Sequence, residues 1–222
     1  MLDWSDRNTA VLFGDGAGAV VVEESKKEED GEIFSFVNGL SSDKLDILEV
    51  PNFGSAMDRF NKDEAARVRW TFDGQEIFKG GIRAMATASD EVITKSGLKK
   101  EDIDILIPHQ ANLRIVEGLE KMLKLPNATT IKKVHKYGNT SAASIPTALV
   151  DALEEGEIKG GEVAIFTAVG AGLSWGACAL RLGERTTPIN TSDAKLPDFD
   201  GKAVDTIRRA IEYQIPEKKD LI

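Results

Sequence analysis

Two consecutive segments of the chain each run from a short apolar strand into an amphipathic helix. Residues 103–107 are apolar and mostly β-branched, Pro108 ends this strand, and apolar residues recur at helical spacing over residues 113–123. The pattern repeats as a predicted strand at residues 129–134 and a predicted helix at residues 141–153. Strands that alternate with helices predict a two-layer α/β unit, in which successive helix starts lie at the same edge of the sheet.

One histidine and one asparagine stand where these strands give way to helices. His109 follows Pro108, and Asn139 follows the turn residue Gly138. Backbone N–H groups are unpaired where a helix begins, so a polar side chain at this place is typical of a binding or catalytic site. The positive end of the helix dipole disfavours imidazolium, so we expect His109 to be neutral. We expect His109 and Asn139 to converge on one site; a structural core histidine and a plain turn or cap asparagine are the alternatives.

Three strings of the sequence resemble the β-ketoacyl-acyl-carrier-protein synthase III family of thiolase-fold condensing enzymes. They are PHQANLR at residues 108–114, YGNTSAAS at residues 137–144 and GAGLSWG at residues 170–176. The resemblance implies an α/β fold, in which residues 31–183 form the C-terminal half of a thiolase-like protein, a mixed sheet with helices. Residues 1–30 are then the last strands of the N-terminal half, and residues 184–222 are an extension with one short helix.

The remaining pattern predicts the other elements of such a fold. Residues 9–13 and 19–22 predict two strands joined by a glycine turn, which also fits a dinucleotide-binding pattern, although no helix follows it. Residues 45–53 predict a loop or short strand, and residues 74–96 a long helix ended by Gly97. Further strands are predicted at residues 33–37, 162–167 and 176–182, and a further helix within residues 201–214.

The resemblance implies a decarboxylative Claisen condensation of an acyl thioester with malonyl-acyl carrier protein in fatty-acid biosynthesis. His109 and Asn139 assist decarboxylation in this scheme, because neutral donors stabilise the developing enolate oxygen. The family's third catalytic group is a cysteine upstream of the DGAGA turn at residues 15–19. The single cysteine here, Cys178, lies in an apolar stretch and is expected to be a buried small residue, because a nucleophilic thiolate needs a polar or positive environment.

We therefore expect the chain alone to be inactive and to supply only the His/Asn half of the site. The cysteine-bearing N-terminal half would come from another chain, and the working state is expected to be a larger assembly, either with that chain or as a dimer or other homo-oligomer. Three alternatives stay open: a non-catalytic partner subunit that binds acyl carrier or coenzyme A, an inactive fragment, and a thiolase-superfamily acyltransferase or hydrolase that does not decarboxylate its substrate.

Further site residues follow from the resemblance alone. Asn112 matches a pantetheine contact, with a helix cap as the alternative, and Arg7 matches an arginine that packs on the adenine of coenzyme A. Arg114 and Lys121 lie two helical turns apart and match a face that docks the acyl carrier protein, with an ordinary solvated face as the alternative. Ala171, within a glycine-rich loop, matches a backbone oxyanion donor, and a simple hairpin turn is the alternative.

Composition restricts partners and location. The formal net charge of −9 argues against nucleic acid as a partner, since phosphate binding needs a clustered basic surface. No apolar run approaches the length of a membrane span, and the first residues do not resemble a signal peptide, so we expect a cytoplasmic location and no membrane association. We expect no metal, because no group of Cys, His and carboxylates has ligand spacing, and no cofactor other than the coenzyme A and carrier-protein thioesters that are substrates.

Overall fold

A mixed sheet with helices on both faces forms the body of the chain. The computed structural model describes residues 2, 4, 6–27, 30–43, 45–50, 70–188, 192–195 and 201–214. The last part of the loop or strand predicted at residues 45–53 lies outside these residues. Seven strands occur in the described chain: β1 (Glu32–Leu40), β2 (Leu48–Glu49), β3 (Thr71–Phe72), β4 (Ile105–Pro108), β5 (Thr129–Thr130), β6 (Val163–Gly170) and β7 (Ser174–Arg181).

Five of these strands form the main sheet in the order β1-β7-β6-β4-β5, and β2 pairs with β3 separately. Strands β5, β4 and β6 run parallel to one another, whereas β7 is antiparallel to both β6 and β1. The three parallel strands therefore end at the same edge of the sheet. The mixed α/β sheet and the strands predicted at residues 33–37, 103–107, 162–167 and 176–182 are confirmed.

Six helices occur in the described chain: α1 (Arg7–Ala10), α2 (Gly74–Lys95), α3 (Leu113–Leu123), α4 (Val134–Tyr137), α5 (Ser144–Glu154) and α6 (Ala203–Gln214). The long helix predicted at residues 74–96 is confirmed as α2, whose first turn is capped by the Asp73 side chain. The predicted helix in the C-terminal extension is confirmed as α6, on which Ile211 is buried. None of these described helices is both long and apolar enough to cross a bilayer.

The helices cover both faces of the sheet, which explains why β4 is apolar at every position. Leu106 joins a core formed with α2 and α3, whereas Ile105 and Ile107 join a second core formed with α5. A parallel strand that is covered on both faces has no solvent side, so its sequence does not alternate between polar and apolar residues. His109, which directly follows β4, therefore stands at the end of a fully buried strand.

The two strands predicted near the N-terminus are wrong. Residues 7–10 form the helical turn α1, Phe13 makes an isolated bridge to Asn139, and residues 14–22 join no strand of the described chain. The side chain of Val21 is 92% exposed. A strand needs a neighbour that pairs with its backbone groups, and among the described residues this segment has no neighbour beyond the bridge at Phe13.

The strand predicted at residues 129–134 is also shorter than expected. Only Thr129–Thr130 forms β5, although the N–H of Ile131 still donates to Leu106 O over 2.9 Å. The N–H of Lys133 instead donates to the side chain of Gln110 over 2.8 Å, and Val134 begins the helical turn α4. A buried side chain thus takes the hydrogen bond that a longer strand would have used, which turns the chain towards Asn139.

Candidate active site

His109 lies directly after β4, at the edge where the three parallel strands end. Its N–H donates to Thr167 O over 2.7 Å, which continues the pairing of β4 with β6 by one hydrogen bond. The hydroxyl of Thr167 lies 3.1 Å from Gly176 O on β7 and 3.3 Å from Met85 O on α2. The backbone that carries the imidazole is therefore fixed to the sheet.

The imidazole contacts Ser144, the first residue of α5. Ser144 Oγ lies 2.6 Å from His109 Nδ1 and also accepts the N–H of Gln110 over 3.2 Å. Ser144 is 2% exposed, so this contact is shielded from water. Ser144 has no predicted role, although it lies in the YGNTSAAS string. A separation of 35 positions along the chain offers no local signal for this contact.

Burial lowers the pKa of His109 from 6.5 to about 4. The imidazole is therefore neutral at pH 7, which is the form that the sequence predicts. The expected cause is wrong, because helix α3 begins at Leu113, and its cap is Asn112. His109 precedes that cap by three residues, so the loss of water around the ring, and not the start of α3, lowers its pKa.

Asn139 is held by both its backbone and its side chain. Its N–H donates to Leu12 O over 2.8 Å, and its carbonyl accepts the N–H of Gly14 over 3.0 Å. Its side-chain Oδ1 accepts the N–H of Ser141 over 2.9 Å. This contact needs an acceptor, so it fixes the oxygen of the amide and leaves Nδ2 as the donor, with no partner among the described residues.

Gln110 joins the loop of His109 to the segment that leads to Asn139. Its Nε2 donates to Pro108 O over 2.6 Å and to Ile131 O over 3.2 Å, and its Oε1 accepts the N–H of Lys133 over 2.8 Å. Gln110 is 2% exposed, so these contacts replace water completely. The relative position of the two polar side chains therefore depends on one buried amide.

An ion-pair cluster holds the same segment against the end of α5. Lys133 Nζ lies 2.6 Å from Glu155 Oε2 and 3.0 Å from Glu157 Oε1, and the Lys133 side chain is only 5% exposed. Burial opposes the charge of Lys133, but the hydrogen bonds that it donates to both carboxylates outweigh this effect and raise its pKa. Lys136 pairs with Asp151 over 2.9 Å and also with Glu155. The chain between β5 and Asn139 is thus tied to α5 by several charges.

His109 and Asn139 line one cavity of about 400 Å³, as their predicted convergence requires. Its remaining walls are mostly apolar and come from the N-terminal segment, β3, α2, α3 and the β6–β7 turn. Phe13 contacts two of the other rings, with centroids 5.3 Å from Trp70 and 6.1 Å from Phe72. No sequence pattern predicts this aromatic wall, because its members come from segments with no shared local pattern.

The glycine-rich loop lies at the mouth of the cavity, between β6 and β7. Gly170 and Ala171 line the cavity, and Ala171 O accepts the N–H of Ser174 over 3.1 Å. The hairpin-turn alternative is therefore correct as local structure. The position of Ala171 in the cavity wall is also compatible with a donor role for its backbone N–H. Gly172 has a φ of +135°, whereas Ala171 is not among the residues with positive φ, so the alanine does not strain the loop.

The other predicted site residues are placed differently. Asn112 lines the cavity, and its Oδ1 caps α3 by accepting the N–H of Ile115 over 3.0 Å, so the cap alternative is correct and a ligand contact stays possible only through Nδ2. Arg114 and Lys121 are both exposed, and the Arg114 guanidinium lies 5.6 Å from the centroid of Phe78. Arg7 is exposed on α1 and is not part of the cavity wall.

Cys178, the only cysteine of the sequence, lies on β7 and not in the cavity wall. It is partly rather than fully buried, and burial raises the pKa of its thiol. A raised thiol pKa lowers the fraction of thiolate at neutral pH. The expectation that Cys178 is not the nucleophile of this site agrees with both observations.

Two family models match the chain. Residues 93–182 match "3-oxoacyl-[acyl-carrier-protein] synthase III C terminal", and residues 1–41 match "3-oxoacyl-[acyl-carrier-protein] synthase III". Among curated proteins, β-ketoacyl-[acyl-carrier-protein] synthase III 2 of Vibrio cholerae is 47% identical over 217 residues, which cover 96% of this chain and 58% of that protein. The synthase III of Listeria monocytogenes is 46% identical over 182 residues, which cover 82% of this chain and 53% of that protein.

Solved structures give the same result. The synthase III of Aquifex aeolicus matches with a TM-score of 0.68 and 40% identity, over 81% of this chain and 53% of that one. The synthase III of Pseudomonas aeruginosa matches with a TM-score of 0.73 and 35% identity, over 84% of this chain and 55% of that one. The chain thus spans between half and three fifths of the length of these relatives. The Vibrio match reaches far enough to include most residues after Gly183.

Proposed function

Because the chain belongs to the 3-oxoacyl-[acyl-carrier-protein] synthase III family and has a thiolase-like fold, we propose that it supplies the His/Asn half of a decarboxylating condensing site in fatty-acid biosynthesis. The acceptors would be acyl groups delivered as coenzyme A thioesters, and the extender would be a malonyl group on acyl carrier protein. The proposal concerns the complete enzyme, of which these residues are one part.

The observation that carries this proposal is the state of the two donors. On both His109 and Asn139, one polar atom of the side chain is engaged by a neighbouring serine, at Nδ1 and Oδ1 respectively. His109 Nε2 and Asn139 Nδ2 have no partner among the described residues, and both side chains line the same cavity. Two neutral donors that are fixed before substrate binds are suited to an oxygen on which negative charge develops.

The chemistry then follows from the electron flow. The malonyl carboxylate leaves as carbon dioxide when its bond to the central carbon breaks, and the electron pair of that bond moves onto the thioester as an enolate. His109 Nε2–H and Asn139 Nδ2–H donate to the enolate oxygen. The enolate carbon then attacks the carbonyl of the acyl thioester held on the nucleophile, a carbon–carbon bond forms, and the sulfur of the nucleophile leaves as a thiolate.

The cavity also suits such substrates. Its walls are mostly aromatic and aliphatic side chains, and the few polar side chains include His109, Asn139 and Asn112. Binding sites for small acyl compounds combine apolar walls with a few convergent polar groups. We propose that the pantetheine arm passes Asn112, that the backbone of Ala171 donates to the second oxyanion, and that Arg7 contacts the adenine of coenzyme A.

The acylated cysteine is proposed to come from outside these 222 residues, since Cys178 is not in the cavity wall. Its source would be a cysteine-bearing N-terminal half on another chain of a larger assembly. Arg114 and Lys121 are proposed to dock the acyl carrier protein, because both are exposed on one face of α3. The cytoplasmic location and the lack of a metal or resident cofactor stay predictions.

Denaturing mass spectrometry of the natively purified protein, with and without iodoacetamide, tests this proposal. A second polypeptide with one fast-alkylating cysteine is the expected result. A single 24.1 kDa species whose Cys178 reacts only after unfolding would contradict it, and would favour the inactive fragment or a binding partner.

Product analysis of the assembled enzyme tests the reaction. Malonyl and acetyl thioesters should yield carbon dioxide and a 3-oxoacyl product, and His109→Ala should abolish both. Unchanged activity of the His109→Ala assembly would identify the chain as a non-catalytic subunit. Product formation from acetyl thioesters alone, or simple hydrolysis, would identify a relative that does not decarboxylate.

A further inference from the structure

We propose that Ser144 is a positioning residue that fixes His109 as the Nε2–H tautomer, so that the imidazole presents a donor to the cavity. The inference deepens the proposed function and rests on it for its catalytic meaning. Its structural content, the position of one proton, stands independently of any reaction.

Ser144 Oγ has two polar neighbours. The oxygen accepts the N–H of Gln110 over 3.2 Å and lies 2.6 Å from His109 Nδ1. No other hydrogen bond of this oxygen occurs in the described part of the chain. A hydroxyl has one hydrogen to donate, and a backbone N–H cannot receive it, so His109 Nδ1 is the one available acceptor.

The two neutral forms of the ring satisfy this contact differently. If Nδ1 carried the proton, both neighbours of Ser144 Oγ would be donors, and the hydroxyl hydrogen would be left without an acceptor. Ser144 is 2% exposed, so water does not replace that acceptor. An unsatisfied buried polar group is costly, whereas the Nε2–H form satisfies every group of the contact.

The imidazole of His109 is neutral, and one of its two nitrogens must carry the single proton. Burial lowers the pKa of His109 to about 4, so the charged form, in which both nitrogens are donors, is scarce at neutral pH. Burial alone does not choose between the two neutral tautomers, because both are uncharged. The hydrogen bond made by one ring nitrogen decides whether the other nitrogen carries the proton, which is the general rule for functional histidines.

Asn139 is oriented by a serine in the same way as His109. The N–H of Ser141 occupies Oδ1 of that side chain and leaves Nδ2 to donate, and Ser144 occupies Nδ1 of His109 and leaves Nε2 to donate. Two serines of one string, three positions apart, thus orient the two donors of one cavity. They lie on the 3₁₀ turn at residues 141–143 and at the start of α5.

Long-range ¹H–¹⁵N NMR spectra of the imidazole rings test the inference directly, since the two tautomers give different nitrogen patterns. The chain contains two histidines, and the exposed His135 gives an internal reference for a ring that exchanges between tautomers. We expect a single Nε2–H pattern for His109 at neutral pH. We expect Ser144→Ala to give a mixed pattern with a detectable Nδ1–H form, and Ser144→Thr, which keeps the hydroxyl, to restore the single form.

The matched control is Thr147→Ala, one turn further along α5. The hydroxyl of Thr147 donates to Ala143 O over 2.8 Å and to the backbone carbonyl of Ser144 over 3.3 Å, but it contacts neither Ser144 Oγ nor His109, so its removal perturbs the same helix without touching the ring. The His109 pattern should not change. An averaged or Nδ1–H pattern in the unaltered protein would overturn the inference even if Ser144→Ala fails to fold. A pattern unaffected by Ser144→Ala would overturn it as well.

The spectra need no turnover, which separates this inference from the proposed function. A fixed Nε2–H tautomer in a protein whose assembled form does not condense thioesters would contradict only the proposed function. Full condensing activity together with an averaged tautomer would contradict only the role of Ser144. If the tautomer and the condensing activity are both observed, Ser144→Ala should lower kcat in the assembled enzyme. The fold change in kcat should be at least ten times the fold change in KM, because the misplaced donor acts in the transition state.

Discussion

Phe13 and Asn139 form a parallel β-bridge that joins the N-terminal segment to the candidate site. In this bridge the N–H of Asn139 donates to Leu12 O, and the N–H of Gly14 donates back to the carbonyl of Asn139. The position of a proposed catalytic amide therefore depends on three residues that lie about 125 positions earlier in the sequence. This contact requires that the backbone at Gly14 and the backbone around Asn139 approach each other closely.

Gly14→Ala is expected to break this bridge. A Cβ at Gly14 would lie 2.0 Å from Tyr137 O, so the segment must move away from Asn139. We expect a loss of roughly 2 kcal/mol or more of unfolding free energy in urea titrations. Gly16→Ala is the matched control, since its Cβ would lie 3.1 Å from Cβ and Cγ2 of Thr140, a much less severe contact that should cost less. Equal losses in the two variants would contradict the importance of the bridge.

The stability of the chain should depend on His109 below neutral pH. The pKa of this group is about 4 in the folded protein and 6.5 as the ordinary value, so the unfolded chain binds more protons between these values. The folded state therefore loses stability as the pH falls through this window, and the effect is absent above it. We expect about 2 kcal/mol less unfolding free energy from this group near pH 5 than near pH 7.

Urea titrations of the unaltered chain and of His109→Gln at both pH values measure this term. The difference in unfolding free energy between the two proteins should change by that amount on acidification. A difference that stays constant would show that the imidazole is not held neutral by burial.

Asn139→Asp tests the donor role of the amide in the assembled enzyme. The substitution keeps the shape and the acceptor that binds the N–H of Ser141, but it replaces Nδ2–H with a carboxylate oxygen. We expect decarboxylation of the malonyl thioester to slow by on the order of 100-fold. His135→Gln, at an exposed position outside the cavity wall, is the control and should retain full activity. Retained decarboxylation in Asn139→Asp would exclude the amide as an oxyanion donor.

Gln110→Leu tests the buried amide that joins the two loops. The substitution keeps the approximate volume but leaves the N–H of Lys133 and the carbonyls of Pro108 and Ile131 without their side-chain partner. We expect a loss of about 2–4 kcal/mol of unfolding free energy, which urea titration measures. Gln75→Leu, at an exposed position of α2, should change the value by less than about 0.5 kcal/mol. A small effect at Gln110 would mean that water replaces its contacts.

The glycine-rich loop gives a paired test. Gly172 has a φ of +135°, and a Cβ there would lie 2.8 Å from the backbone nitrogen of Ser174, so Gly172→Ala should destabilise the β6–β7 turn by roughly 2 kcal/mol or more. Ala171 lacks a positive φ, so Ala171→Gly should change the unfolding free energy by less than about 1 kcal/mol. Thermal unfolding of both variants checks the contrast. A larger loss at Ala171 would contradict the loop geometry.

Local sequence determined the elements that bury an apolar face. The strand at residues 105–108, the helices α2 and α3, and the β6–β7 hairpin follow from periodicity, because hydrophobic spacing is a property of neighbouring residues. The convergence of His109 and Asn139 followed as well, since parallel strands of one sheet end at the same edge. The three motif strings at residues 108–114, 137–144 and 170–176 also identified the family, which length and composition did not.

The tertiary structure alone decided what depends on distant partners. Residues 9–13 and 19–22 have the composition of strands, but strand formation requires a paired neighbour, and the described chain offers only the bridge at Asn139. The contact of Ser144 with His109 spans 35 positions, and the neutrality of the ring arises from burial, which no neighbouring residue encodes. Sequence thus set which side chains carry the chemistry, whereas long-range packing set their orientation and protonation, because both depend on groups that only folding brings together.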